Sequence, residues 1–327
     1  MNQAESATQD QVEWFADLYT KLVAHISSFI RGKDEVVRAA ALCMISEGHL
    51  LIEDVPGTGK TMLAKTMAAA IDGTIRRIQF TPDLLPMDCT GGLIYRPSRE
   101  EFEFQPGPVF TNILIADEVN RASPKTQSAL LEVMEERQVT VDGTPFPVPR
   151  PFIVIATENP IELSGTYPLP EAQRDRFMMH RAMGYPSLGA ERQILEDRAR
   201  GLTPEQLSPI MTAADLVQMI TVARGVYLSP AVLDYIVSLA DATRRLPEVR
   251  LGVSPRGSLA LSVIAQTHAA ANRQTYVTAD NVKALVQAVF AHRLILEPDA
   301  ELRGVTAGKL VASLLAALPV PQQRFGV

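Results

Sequence analysis

Apolar residues recur at helical spacing near the start of the chain, at Trp14, Leu18, Leu22, Ile26 and Phe29. This spacing predicts a first helix, and a second follows over Asp34–Ser46. The pattern then changes. Short runs rich in Ile, Leu and Val, at His49–Glu53, Ile75–Phe80, Asn112–Asp117 and Pro151–Thr157, alternate with helical stretches. Such runs suit strands buried on both faces of a parallel sheet. Ser123 and Pro124 supply an N-cap and first-turn pair for a helix reaching Arg137. Val139–Val141 followed by Asp142-Gly143 predicts a β-hairpin.

From Pro186 onward strand signals fade, and helical patterns cover Ala190–Arg200, Thr212–Arg224, Pro230–Arg245, Pro255–Arg273, Asp280–Arg293 and Thr306–Ala317. Several open on cap signals: Ser229-Pro230, Ser254-Pro255 and Thr278-Ala279-Asp280. The expected organisation is an N-terminal helical segment over 1–30, an α/β unit over 31–185 and a smaller all-α unit over 186–327. Thr81–Pro108 stands apart. It is rich in Pro and Gly, reads as irregular, and is too long for a plain connector, which points to function.

Composition narrows the class. The chain has 327 residues, enough for two domains, with 46% hydrophobic and 21% charged residues, so disordered and fibrous classes are excluded. The formal net charge is −6, so nucleic-acid binding would need a local basic patch. Cys43 and Cys89 stand far apart, which excludes a disulfide scaffold and a zinc ribbon and fits a reducing compartment. The first ten residues lack the pattern of a signal peptide, and no apolar run approaches the roughly 20 residues of a membrane span. The expectation is a soluble, cytoplasmic protein.

The strongest chemical signal is Val55-Pro56-Gly57-Thr58-Gly59-Lys60-Thr61, directly after a strand and opening a helix. Glycines let backbone N–H groups turn around phosphates, and a helix N-terminus adds partial positive charge. Lys60 can reach the terminal phosphates and the Thr61 hydroxyl can ligate Mg²⁺, with Met62 next in line. Asp54 occupies a position where a phosphate loop ordinarily has Gly. The second signal is Ile113–Glu118, an apolar strand delivering Asp117 and Glu118 at its C-terminal end, where ligands bind in open α/β sheets. Asp117 is a candidate Mg²⁺ ligand and Glu118 a candidate for polarising the attacking water; a helix-cap acid is the alternative. Asn159, at the end of the next strand, could orient water or simply form the turn before Pro160. In Glu171–Phe177, Arg174 and Arg176 flank Asp175, which also fits a solvated helix face with local ion pairs. Arg256 sits at a predicted helix start, where a cation is mildly unfavourable, so it suggests an anionic partner unless it is a stray surface charge.

Together these residues resemble the AAA+ ATPases, and within them the MoxR family. The resemblance runs through Gly48–Thr61, Ile78–Pro86, Pro106–Phe110, Asp117–Ala122, Ala156–Pro160, Gly165–Gln173 and Ser254–Arg256, and covers about residues 28–295. It implies a parallel-sheet P-loop domain followed by an all-α lid, and an enzyme that hydrolyses ATP with Mg²⁺. By resemblance, Val55, Pro56, Gly57, Thr58, Gly59, Lys60, Thr61 and Met62 form Walker A, and Asp117 and Glu118 form Walker B. Asn159 resembles sensor 1, Arg176 the arginine finger, with Arg174 as a second candidate, and Arg256 sensor 2. Residues 81–108 resemble the helix-2 insert and Arg137–Pro149 the pre-sensor hairpin. The resemblance further implies a hexameric ring and chaperone-like remodelling of protein partners, with von Willebrand A-domain proteins as associates. A nucleic-acid motor and the ATPase subunit of a metal-chelatase-like complex are the alternatives; net charge −6 argues against the first.

Overall fold

The computed structural model describes residues 6–53, 59–158, 167, 169–201 and 203–320. In chain order its elements are α1 (Gln9–Ser27), α2 (Asp34–Ile45), β1 (Leu50–Glu53), α3 (Lys60–Ala70), β2 (Ile75–Gln79), α4 (Pro86–Thr90), β3 (Gly91–Arg96), β4 (Glu101–Pro106), β5 (Ile113–Asp117), α5 (Pro124–Glu136), β6 (Gln138–Val141), β7 (Thr144–Pro147) and β8 (Ile153–Glu158). There follow α6 (Glu171–Arg174), β9 (Met179–Ala182), α7 (Leu188–Ala199), α8 (Ala213–Arg224), α9 (Pro230–Arg244), β10 (Val249–Leu251), α10 (Pro255–Ala271), α11 (Ala279–Phe290), β11 (Ile295–Leu296), α12 (Pro298–Leu302) and α13 (Ala307–Ala317).

The four apolar runs become β1, β2, β5 and β8, and they join β9 in a parallel five-stranded sheet of order β2-β5-β8-β1-β9. Alternate side chains feed two cores. Leu50, Ile52, Ile113, Ile115, Ile153 and Ile155 pack toward α1, α2, α3 and the helical part. Leu51, Leu114, Ala116, Val154 and Ala156 pack toward α5. This double burial is why β1, β5 and β8 read as continuous apolar runs, whereas β2, expected to be buried on both faces as well, lies at the sheet edge and exposes Arg76, Arg77 and Gln79. β9 escapes the sequence reading because Met-His-Arg-Ala is short and polar; only the pairing with β1 makes it a strand.

The stretch 81–108 is more regular than expected. It folds into α4 and the antiparallel β3–β4 hairpin, whose Gly91 adopts φ +84° where a Cβ would strike the Gln105 carbonyl. The hairpin carries mostly exposed side chains, so no burial pattern announces it. The β6–β7 hairpin forms as predicted around Asp142-Gly143. Phe104 of β4 stacks on Phe146 of β7 with ring centroids 4.1 Å apart, which joins the two hairpins.

Caps follow the sequence at Ser123, Ser229 and Thr278, whose side chains accept from Thr126, Val232 and Asn281 N–H groups. Ser254 differs. Its hydroxyl makes no cap bond to α10 and instead donates to Asp175 Oδ2 at 2.7 Å. Among the described residues, no helix is long and apolar enough to cross a membrane.

Candidate active site

β1, β5 and β8 end on one edge of the sheet, and their C-terminal residues are Glu53, Asp117 and Glu158. Gly59 stands at the N-cap of α3 with φ +97°, a conformation that favours glycine, and Lys60 and Thr61 open the helix. Val55, Pro56, Gly57, Thr58 and Asn159 lie outside the described residues. A cavity of about 230 Å³ adjoins Gly59 and Met62, with Phe29, Ile30, Met183 and Ile194 as its apolar walls. Its size and lining fit a purine base beside a helix N-terminus that would take the phosphates. Met62, which the resemblance places in Walker A, lines this cavity. Phe29 was legible only as a helix-face apolar residue.

The two acids of β5 are held by neighbours. Thr157, buried on β8, donates to Asp117 Oδ1 at 3.3 Å and accepts the Glu118 N–H at 2.9 Å. Arg77 Nε lies 2.6 Å from Asp117 Oδ2. Gln79 donates to Glu118 Oε2 at 2.9 Å, and Arg121 pairs with the same oxygen at 3.1 Å. Glu118 has φ +55°, an uncommon conformation for a residue with a Cβ, which Thr157 and Gln79 help to fix. A hard divalent cation prefers such carboxylate and hydroxyl oxygens, so Asp117 and Thr61 fit Mg²⁺ by donor type. Sequence reasoning missed Arg77, Gln79, Arg121 and Thr157. Gln79 and Thr157 were visible as polar residues at strand ends, but only strand order brings them to the acids.

The structure separates Arg174 from the other two candidate arginines. Arg174 faces the strand ends: it pulls the carboxyls of Glu158 and Glu53 downward. Burial outweighs that pull at Glu158, which stays above its ordinary range, whereas a hydrogen bond to His180 leads the lowering at Glu53. Arg176 and Arg256 lie elsewhere. Both bond Glu135, Arg176 through Nε to Oε2 at 2.9 Å and Arg256 through Nη2 to Oε1. Glu135 lies in the last turn of α5, the helix that starts just after Glu118 and runs back along the sheet. Eleven residues of helix place it roughly 16 Å beyond the helix start. Met178, two residues after Arg176, bonds the His49 carbonyl at the entry to β1, the opposite sheet edge from Asp117. Arg256, the sensor 2 candidate, is therefore held by Glu135 of α5.

Behind the site, His49 is buried. Its Nδ1 accepts from the Val154 N–H at 3.0 Å, so Nε2 carries the proton and donates to the Met134 carbonyl at 3.1 Å. Burial, and then Arg137, pushes its pKa down to about 3. Glu47, just before it, pairs with Arg150 at 2.8 Å and with Arg224 of α8.

Comparison with known proteins agrees with this geometry. Residues 49–179 match the ATPase family associated with various cellular activities (AAA), and residues 241–314 match the AAA lid domain. The chain is 41% identical to Chaperone MoxR1 of Mycobacterium tuberculosis over 94% of this chain and 84% of that protein. It is 44% identical to the uncharacterised protein YeaC of Bacillus subtilis, over 95% of this chain and 97% of that one, and 31% identical to Protein MoxR of Paracoccus denitrificans, over 91% and 95%. A solved structure of a candidate ATPase from Cytophaga hutchinsonii superposes with a TM-score of 0.89 at 33% identity, covering 96% of this chain and 98% of that one. A parallel sheet with its acids at one edge, a helical lid and these relatives together establish that the chain belongs to the AAA ATPases, in the MoxR family, and is an ATP-hydrolysing enzyme.

Proposed function

We propose that the chain is an oligomeric Mg-ATPase of chaperone-like type whose sites are completed by a second copy. The observation that supports this reading is the position of Arg176 and Arg256, at the sheet edge opposite Asp117 and Glu118. Arginines there serve a neighbour's nucleotide more readily than their own. In the proposal, the segment Val55–Thr58 with Gly59 and Lys60 holds the phosphates, and the cavity beside Met62 takes the base. Thr61 and Asp117 would hold Mg²⁺, which screens phosphate charge. Glu118 polarises the attacking water, with Asn159 orienting it, and Arg176 and Arg256 stabilise charge that spreads over the γ-phosphate oxygens. The hexameric ring, the protein clients, the cytoplasmic setting and the division between sheet unit and lid near residue 185 belong to the same proposal.

Mixing tests it. Arg176→Ala subunits keep Glu118, and Glu118→Gln subunits keep Arg176. Each alone should be inactive while still binding ATP. Co-assembled, they should recover part of the turnover. No recovery despite demonstrated co-assembly would overturn action across the contact.

A further inference from the structure

We infer that Glu135 is a positioning residue for ATP turnover: it brackets Arg176 and Arg256 into one cationic unit offered to a neighbouring copy. The inference rests on the proposed action of those arginines across a subunit contact.

The two arginines come from different parts of the molecule. Arg176 follows α6 at the sheet, whereas Arg256 opens α10 in the helical part. Two guanidiniums side by side repel, and each is long and flexible. Glu135 gives one carboxylate oxygen to each, which offsets one charge and holds both in register. The Arg176 Nη1 also donates to the Ala172 carbonyl at 2.9 Å, which fixes that fork from the other side. A guanidinium has five N–H donors, so the bond to Glu135 leaves donors on each for a phosphate oxygen.

The segment beneath the pair is fastened to the helical part as well. Asp175 accepts from Ser254 Oγ and from Arg293 Nε, both at 2.7 Å. Arg293 is buried and donates through Nη2 to the carbonyls of Asp175 at 3.0 Å and Phe177 at 2.6 Å. Backbone 175–178 therefore takes its position from the helical part, and Arg256 comes from that same part. Glu135 is the contact through which α5, and with it the strand carrying Asp117, joins the pair. A shift of the helical part would reach Arg176 through these bonds.

Glu135→Gln removes the charge and keeps the size. The Glu135 side chain is partly exposed, so the variant should fold. Expected results are a fall in kcat of about tenfold from a misplaced rather than missing arginine, an unchanged KM for ATP, and unchanged ATP-dependent assembly by sedimentation. Mixed with Glu118→Gln subunits, Glu135→Gln subunits should regain turnover, because their own Lys60, Asp117 and Glu118 are intact. The losses in Glu135→Gln and Arg256→Gln should also be non-additive in the double variant. Wild-type turnover, loss of assembly, additive losses, or no rescue in mixtures where Arg176→Ala is rescued would each overturn the role of Glu135 alone. No rescue of Arg176→Ala itself would overturn the reading on which it stands.

Discussion

Arg77 Nε approaches Asp117 Oδ2 to 2.6 Å from the adjacent strand β2. The arginine is about half exposed, so the pair contributes little to stability. Its effect falls on the site, where a fixed cation competes with a divalent one for the same carboxylate. Arg77→Gln should lower the Mg²⁺ concentration for half-maximal turnover by about 1.4- to fivefold, the equivalent of the ~0.2–1 kcal/mol of an exposed pair. A Mg²⁺ titration checks this; weaker Mg²⁺ support would mean that Arg77 helps to shape the carboxylate rather than competing for it.

Thr157 is the hydroxyl on which both acids depend. Thr157→Val preserves shape but removes the donor to Asp117 and the acceptor for the Glu118 N–H. Leaving this partly buried N–H unpaired costs up to about 1–3 kcal/mol. Turnover should fall about tenfold or more as Glu118 leaves its alignment, while ATP binding changes little. Thermal melts and steady-state kinetics on the same preparation separate the two effects.

Tyr95 and Phe102 pair at 5.3 Å on the outer part of the β3–β4 hairpin, 48% and 68% exposed. They contribute little to either core. The double variant Tyr95→Ser/Phe102→Ser should therefore leave the melting temperature and basal ATP turnover unchanged, yet weaken binding of an unfolded model polypeptide. Removing all of 81–108 is a different experiment. Cys89 is a core residue, Leu84 packs against the same core and Thr126 bonds the Leu84 carbonyl, so the deletion would uncover the core on the α5 side of the sheet.

Acid should weaken the fold through its buried histidines. The unfolded His49 titrates near 6.5, whereas burial and then Arg137 lower the folded value to about 3. His292 is displaced in the same direction, by burial first and then by Arg293. Between those limits the unfolded chain binds protons that the folded chain does not, so stability rises with pH and is lost as pH falls from about 6.5 toward 3. Above pH 7 the effect vanishes. Melting temperatures from pH 7.5 to 5 should fall in the wild type and fall less steeply in His49→Gln. Equal slopes would mean that the His49 ring charges within the fold.

Much of this was legible in the residues. The runs that became β1, β5 and β8 declared themselves because both faces are buried, and Asp117 and Glu118 because the strand ends on them. What stayed hidden depends on pairs distant in sequence. Gln79 meets Glu118 only because β2 lies beside β5, and Glu135 meets Arg256 across 121 residues. β9 has no apolar pattern of its own, and Ser254 looks like a cap until Asp175 takes its hydroxyl. Local spacing carries local structure, whereas strand order and lid placement carry the rest.

The first hydrophobic cluster runs without interruption from Val12 and Phe15 of α1, through Leu50 and Ile115 of the sheet, to Leu216, Leu261 and Val311 of the helical part. Its consequence is cooperativity. With one apolar interior shared by both parts, neither has a hydrophobic face that it can afford to uncover, and calorimetry should record a single transition rather than two. A fragment ending near residue 185 would be a poor folding unit, held back by the bare apolar surfaces of α1 and α2 that α8 and α10 cover in the whole chain. Any motion of the helical part during turnover is then a sliding of packed helices over a preserved interior, not the swing of an independent module on a tether.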